Sequence, residues 1–152
     1  MIQPAAISAR SGAHWTIFLP SLAVAASWGL VYVWAVSRVP PLPAIAAIAL
    51  VIEAAVVPLL LLHAFLRARV LSAEVDPGEV RLVSGFPFRR RLVLPLADIT
   101  LAQVRRSIAQ RKFGGGALAL VTREGRRHLV ADLAGADALA AAINEAIRKK
   151  DP

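Results

Sequence analysis

The chain has no cysteine, which excludes disulfides, thiolate metal sites and cysteine nucleophiles. Charge is scarce as well, at 18% of residues, and it is unevenly placed. Positions 1–66 hold only three Lys, Arg, Asp or Glu residues (Arg10, Arg38 and Glu53), against 25 in the other 86 positions. That asymmetry argues against a uniformly mixed globular protein and against a disordered chain. What is abundant is apolar. Of 152 residues, 57% are hydrophobic, and the formal net charge is +8. The length allows one compact domain, or a small domain with a short membrane region.

Residues 15–37 contain no ionisable group apart from Tyr32, and residues 43–66 are broken only by Glu53 and His63. At 1.5 Å per residue a helix over the first run covers about 34 Å, enough for a hydrocarbon core of about 30 Å. Between the runs lies Arg38-Val39-Pro40-Pro41-Leu42-Pro43. Prolines lack an N–H and disfavour helix at the preceding residue, so the runs are expected to fold back as an antiparallel pair. Trp15 and Trp34 fall near the ends of the first run, where amphipathic rings favour the interface. A cleaved signal peptide is the poorer reading, because the apolar core is too long. Basic residues collect on the two outer flanks, at Arg10, Arg67 and Arg69, so both termini are expected on the cytoplasmic side.

Glu53 is the odd residue of the second run. An acidic group at the centre of a span costs about 3 kcal/mol, and the surrounding Leu, Ile and Val residues offset it. In the antiparallel pair Glu53 should lie level with Ser27 and Trp28. A neutral carboxyl hydrogen-bonded to Ser27 or to the Trp28 indole is one reading. A docking point for a partner's helix and a proton or ion pathway are the others. Pro58 leaves the Ala54 carbonyl without its helical donor.

From Ala68 onward short alternating segments are separated by turn signals, the pattern of an antiparallel sandwich or barrel. Strands are expected at 70–75, 80–84, 88–96, 99–105, 117–123 and 126–133. Asp76-Pro77-Gly78-Glu79 has the proline and glycine of a type II turn, and Glu124-Gly125 reads as a two-residue hairpin turn. Leu92, Leu94 and Leu96 should share the inner face, as should Leu118 with Leu120, and Leu129 with Ala131 and Leu133. A terminal helix over 137–149 carries the stripe Leu139, Ile143, Ala146 and Ile147.

Val83-Ser84-Gly85-Phe86-Pro87-Phe88-Arg89-Arg90-Arg91, followed by Leu94-Pro95-Leu96-Ala97-Asp98-Ile99, resembles the bacterial pleckstrin-homology-like (PH-like) family pattern. That pattern is a strand, a glycine turn, basic residues and an Ile/Leu-Pro-Leu segment. Lys112-Phe113-Gly114-Gly115-Gly116-Ala117-Leu118 is similar to the family's approach to the next strand. The resemblance covers about residues 68–150, and the module often follows two transmembrane helices. It implies an α+β membrane protein: a two-helix transmembrane hairpin, then a PH-like antiparallel β-barrel or sandwich with a C-terminal capping helix. The expected divisions are a tail over 1–14, the hairpin over 15–66 and the PH-like domain over 68–152. Six strands are clear where the fold has seven, and 107–111 is the candidate for the missing one.

The domain from Arg67 onward has 16 Lys and Arg against 9 Asp and Glu. Arg67, Arg69, Arg89, Arg91, Arg105, Arg106, Arg111 and Lys112 are the candidates for lipid-headgroup or acidic-partner contact, with each basic residue near an anionic leaflet worth about 1 kcal/mol. Positive-inside topology and solvated strand edges would place such residues equally well. Glu53, Ser27 and Trp28 are the candidates for intramembrane polar contact. No catalytic, cofactor or metal site is expected. His14, His63 and His128 fall on separate elements, with His128 on the polar face of its strand. Gly114 to Gly116 lack the Lys-Ser/Thr of a phosphate loop, and Ser84 lacks a G-x-S-x-G frame. Nucleic acid is an unsuitable partner, because stacking aromatics are not interleaved with the basic residues. The expectation is a non-catalytic bacterial inner-membrane protein, an accessory or assembly subunit whose partners are the bilayer and other membrane subunits. The alternative is a stand-alone protein that binds anionic lipid through its basic face.

Overall fold

A computed structural model describes residues 9–150, with side chains to Lys149. The chain divides into two units, residues 17–66 and the remainder.

A 3-10 turn at Trp15–Phe18, whose first two residues belong to the larger unit, leads into α1 (Leu19–Val36) of the smaller one, with Pro20 in its first turn, where a missing N–H costs nothing. The polypeptide reverses through the prolines, the Leu42 N–H bonding the Ala35 carbonyl at 3.1 Å. It re-enters helix at Pro43 as α2 (Pro43–Val51). The Arg38 guanidinium stands 4.6 Å from the centre of the Trp34 ring. Ala35 of α1 and Ala49 of α2 are fully buried, side chains small enough to let helix backbones approach closely. A π-helical turn at Ile52–Val56 precedes α3 (Val57–Val70), and there the Val57 N–H reaches back to the Ile52 carbonyl. Pro58 supplies the cause: it offers no N–H to Ala54 and its ring crowds that carbonyl, so the helix widens. Both apolar runs are long and apolar enough to cross a membrane. Their apolar side chains lie largely exposed, Leu30 at 71% and Leu59 at 66%.

Among the described residues the larger unit has seven strands. These are β1 (Ala9–Gly12), β2 (Ser72–Val75), β3 (Glu79–Ser84), β4 (Arg90–Pro95), β5 (Ile99–Arg105), β6 (Gly116–Thr122) and β7 (Arg127–Leu133). They form two antiparallel sheets, in the orders β1-β2-β3-β4 and β5-β6-β7. The sheets do not close into a barrel. Among the described residues only an isolated bridge, Ala13 with Leu133, links them. The seventh strand comes from the segment before the first apolar run, Gly12 pairing with Ser72 across the whole hairpin. Ser11, buried on β1, accepts a 2.9 Å bond from the Gly135 N–H. The stretch proposed for the missing strand, 107–111, begins α4 (Ile108–Phe113) instead. A capping box decides it: the Gln110 N–H donates to Ser107 Oγ, and the Ser107 N–H donates to Gln110 Oε1.

Turn chemistry departs from expectation at two places. Gly78 does not take the positive φ that a type II turn needs, although the Glu79 N–H still bonds the Asp76 carbonyl. Four residues, Arg123 to Arg126, connect β6 to β7, and the Thr122 N–H bonds the Arg126 carbonyl, so the turn itself is Arg123-Glu124-Gly125. The Gly125 N–H bonds the Thr122 carbonyl and Gly125 sits at φ 77°, the type I turn with a glycine bulge.

The core between the sheets is formed by Val75, Val80, Leu82, Leu118, Leu120 and Leu133. Leu139 and Ile143 of α5 (Ala136–Lys150) join it, with Ala146 and Ile147 partly buried behind them. On β7 the alternation breaks. Leu118 faces Val130 but Gly116 faces Leu133, so β7 carries an extra residue, and Asp132 takes φ 62°. A bulge flips strand parity. Val130 and Leu133 therefore both point inward, while Leu129, expected inside, is 60% exposed.

Candidate functional site: an open seam with a basic rim

α5 and β7 flank the sandwich differently. On the α5 side, Asn144 occupies the free edge of β5. Its Oδ1 accepts from the Ala102 N–H at 3.0 Å, and its Nδ2 donates to the Ala102 carbonyl at 2.9 Å. The side-chain amide replaces a neighbouring strand, so two edge groups are satisfied.

The other side stays open. β4 ends one sheet, β7 ends the other, and no ladder joins them among the described residues. Between them lies a cleft of about 420 Å³. Leu82, Leu92 and Val130 form its floor, and Arg90, Arg91, Arg127 and His128 stand around it. Arg90 reaches the mouth because it shares the inward side of β4 with Leu92, at the strand's first residue. His128 comes to the cleft, away from the polar face expected for it, because it shares the side of Val130. Gly85 makes the tight approach to β4 possible. It sits at φ 92°, and a Cβ there would meet the Phe88 carbonyl oxygen at 2.5 Å. Phe88, at that tip, is 83% exposed.

The basic residues singled out from the sequence do not form one face. Arg91 lines the cleft, and Arg89 lies just outside β4 at its tip. Arg67 is bound to Asp132 at 3.0 Å, and Gln110 donates to the other oxygen of that carboxylate at 3.1 Å. Arg106 is paired with Asp137 and donates to the Gly115 carbonyl. Arg105 borders the outer face of the second sheet, beside Leu101 and Leu129. Arg69 is exposed, and Arg111 and Lys112 lie on α4. Arg90, Arg127 and His128 were not among the candidates. The bulge on β7 hid His128, whereas the shared parity of Arg90 and Leu92 was legible. Elsewhere, Glu79 and then Asp76 hold the Arg81 guanidinium above its ordinary pKa.

In the hairpin Glu53 faces Gly29, its Oε1 lying 3.8 Å from where a Cβ would stand there. Ser27 donates to the Ala23 carbonyl of its own helix, and Glu53 Oε1 is buried without a hydrogen-bond partner in the structure. Neither Ser27 nor the Trp28 indole, the two partners that one of the three readings offered, bonds Glu53 Oε1. Among the described residues no cluster of three metal-ligating side chains occurs.

Two antiparallel sheets packed around one core, with a C-terminal helix sealing one flank, define a PH-like module. The sequence profile of the bacterial PH domain family matches residues 16–147, and the chain belongs to that family. Domains of this family are typically non-catalytic modules. Comparison with curated proteins and with solved structures yields no match.

Proposed function

We propose that this is a membrane-anchored, non-catalytic PH-like module that serves as an accessory or assembly subunit of a larger bacterial inner-membrane complex. Its two apolar runs span the bilayer and both termini face the cytoplasm. The β4–β7 cleft takes an extended acidic and apolar segment of a partner subunit. The open seam carries this reading. It joins an apolar floor to a cationic rim, and it leaves two strand edges free for backbone pairing with an added strand. The exposure of Leu30 and Leu59 supports the anchor, since a soluble core helix would bury them. Glu53, with its unpartnered oxygen against Gly29, offers a partner helix a polar contact within the bilayer.

The test is purification of the full chain in mild detergent, wild type against the Arg90→Glu, Arg91→Glu, Arg127→Glu variant. Loss of defined co-migrating subunits with an unchanged melting temperature supports the cleft, and their retention refutes it. A C-terminal reporter active only outside the cytoplasm would refute the orientation.

The exposed Phe88 beside Arg89, Arg90 and Arg91 favours a second reading, direct binding of anionic lipid by the β3–β4 tip. In that case the protein extracts alone, and charge reversal at Arg89 weakens its binding to anionic vesicles.

A further inference from the structure

Ile108 is 88% exposed, the most exposed of the large apolar side chains among the described residues of the larger unit. It opens α4, and Arg111 and Lys112 follow at i+3 and i+4, on the same outward face. Gln110, on the opposite face, is buried and bonded to Asp132. One apolar side chain flanked by two long cationic ones, on a helix held from behind, is the pattern of an interfacial contact. The apolar group enters the headgroup layer while the cations stay at its anionic surface.

The position of α4 specifies what covers this face. Phe113, its last residue, packs edge-on against Trp15, ring centres 5.2 Å apart. Trp15 is the first residue of the first apolar run. Beside it, His14 lies against Gly115 so closely that a Cβ there would come within 2.8 Å of the imidazole. The end of α4 is thus locked to the residue at which the run begins. No acidic residue occurs on α4 to oppose an anionic surface.

We infer that α4 is an interfacial anchor, with Ile108 inserted among lipid headgroups and Arg111 and Lys112 on anionic phosphates. This rests on the reading of the apolar runs as membrane spans. It places the contact on α4, away from the β3–β4 tip and the β4–β7 cleft.

The native chain lacks cysteine, so an introduced one is labelled uniquely. Ile108→Cys, Leu129→Cys and Leu59→Cys are each labelled with a small environment-sensitive fluorophore. Each full chain is then reconstituted in phosphatidylcholine–phosphatidylglycerol vesicles and quenched by iodide and by headgroup or acyl-chain nitroxide lipid. The label at 108 is expected to show several-fold weaker iodide quenching than that at 129, and to be quenched by headgroup nitroxide. Arg111→Glu with Lys112→Glu should abolish that difference. If labels at 108 and 129 respond alike while that at 59 is quenched by acyl-chain nitroxide, the anchor fails and the spans stand. If the label at 59 is also untouched by lipid, both readings fall.

Discussion

At the β5 flank a backbone edge meets a side-chain amide from α5, while at the β4–β7 flank two edges and an apolar floor meet solvent among arginines. The two flanks belong to one sandwich with one core. Asn144 satisfies both Ala102 groups, so neither is left for an added strand to bond. Charged side chains at the other flank deter indiscriminate edge pairing and still admit a segment of opposite charge. One flank of the sandwich is thus sealed by a side chain of the terminal helix, and the other is left unsealed.

The comparison is broken most severely from beneath. Leu82 lies under the open cleft and within the shared core, so Leu82→Ala should cost about 3 kcal/mol. The melting temperature of the full chain in detergent will show it, and both flanks should loosen together. Asn144→Ala orphans two backbone groups on a buried residue and should cost about 2 kcal/mol. Hydrogen exchange at the Ala102 amide should accelerate while the β4–β7 flank keeps its protection. Arg91→Glu with Arg127→Glu is expected to change stability by no more than about 0.5 kcal/mol. Its effect should appear as lost partner association, which co-purification reads. The smallest effect concerns the sealing helix. Its Glu145 side chain is bonded to Lys149, which holds the carboxyl below the usual glutamate range. The folded pKa is thus below the unfolded one. The stabilisation is complete above the unfolded value and fades as pH falls through the folded value. Lys149→Met should lower the melting temperature slightly at neutral pH and leave it unchanged at low pH, so the acid limb of the pH profile flattens.

Legibility in the sequence followed the range of the interactions. β5 is found at 99–105, as alternation and flanking signals placed it, and the α5 stripe Leu139, Ile143, Ala146 and Ile147 packs as expected. The cap Ser107-x-x-Gln110 was also legible as a helix start, and reading that stretch as a strand overlooked it. β1 was hidden for another reason. Ala-Arg-Ser-Gly has no apolar alternation, and the strand exists through its ladder to Ser72–Val75 and the bond from Gly135 to Ser11. The cleft was hidden by one residue. The bulge at Asp132 reverses which side of β7 each earlier side chain occupies, which brings His128 and Val130 to the seam and turns Leu129 outward.

The two long apolar helices, the proline reversal between them, most strands and the face of the terminal helix were legible from residue order alone. Each depends on composition or on a period of a few residues, which local chemistry sets. Folding in three dimensions was needed for a polar N-terminal segment to complete the first sheet, for Glu53 to face Gly29, and for Asn144 to cap Ala102 on one edge while β4 and β7 remain apart. Those outcomes depend on pairing between residues distant along the chain. No local pattern encodes such pairing, because the partner groups meet only once the core has formed.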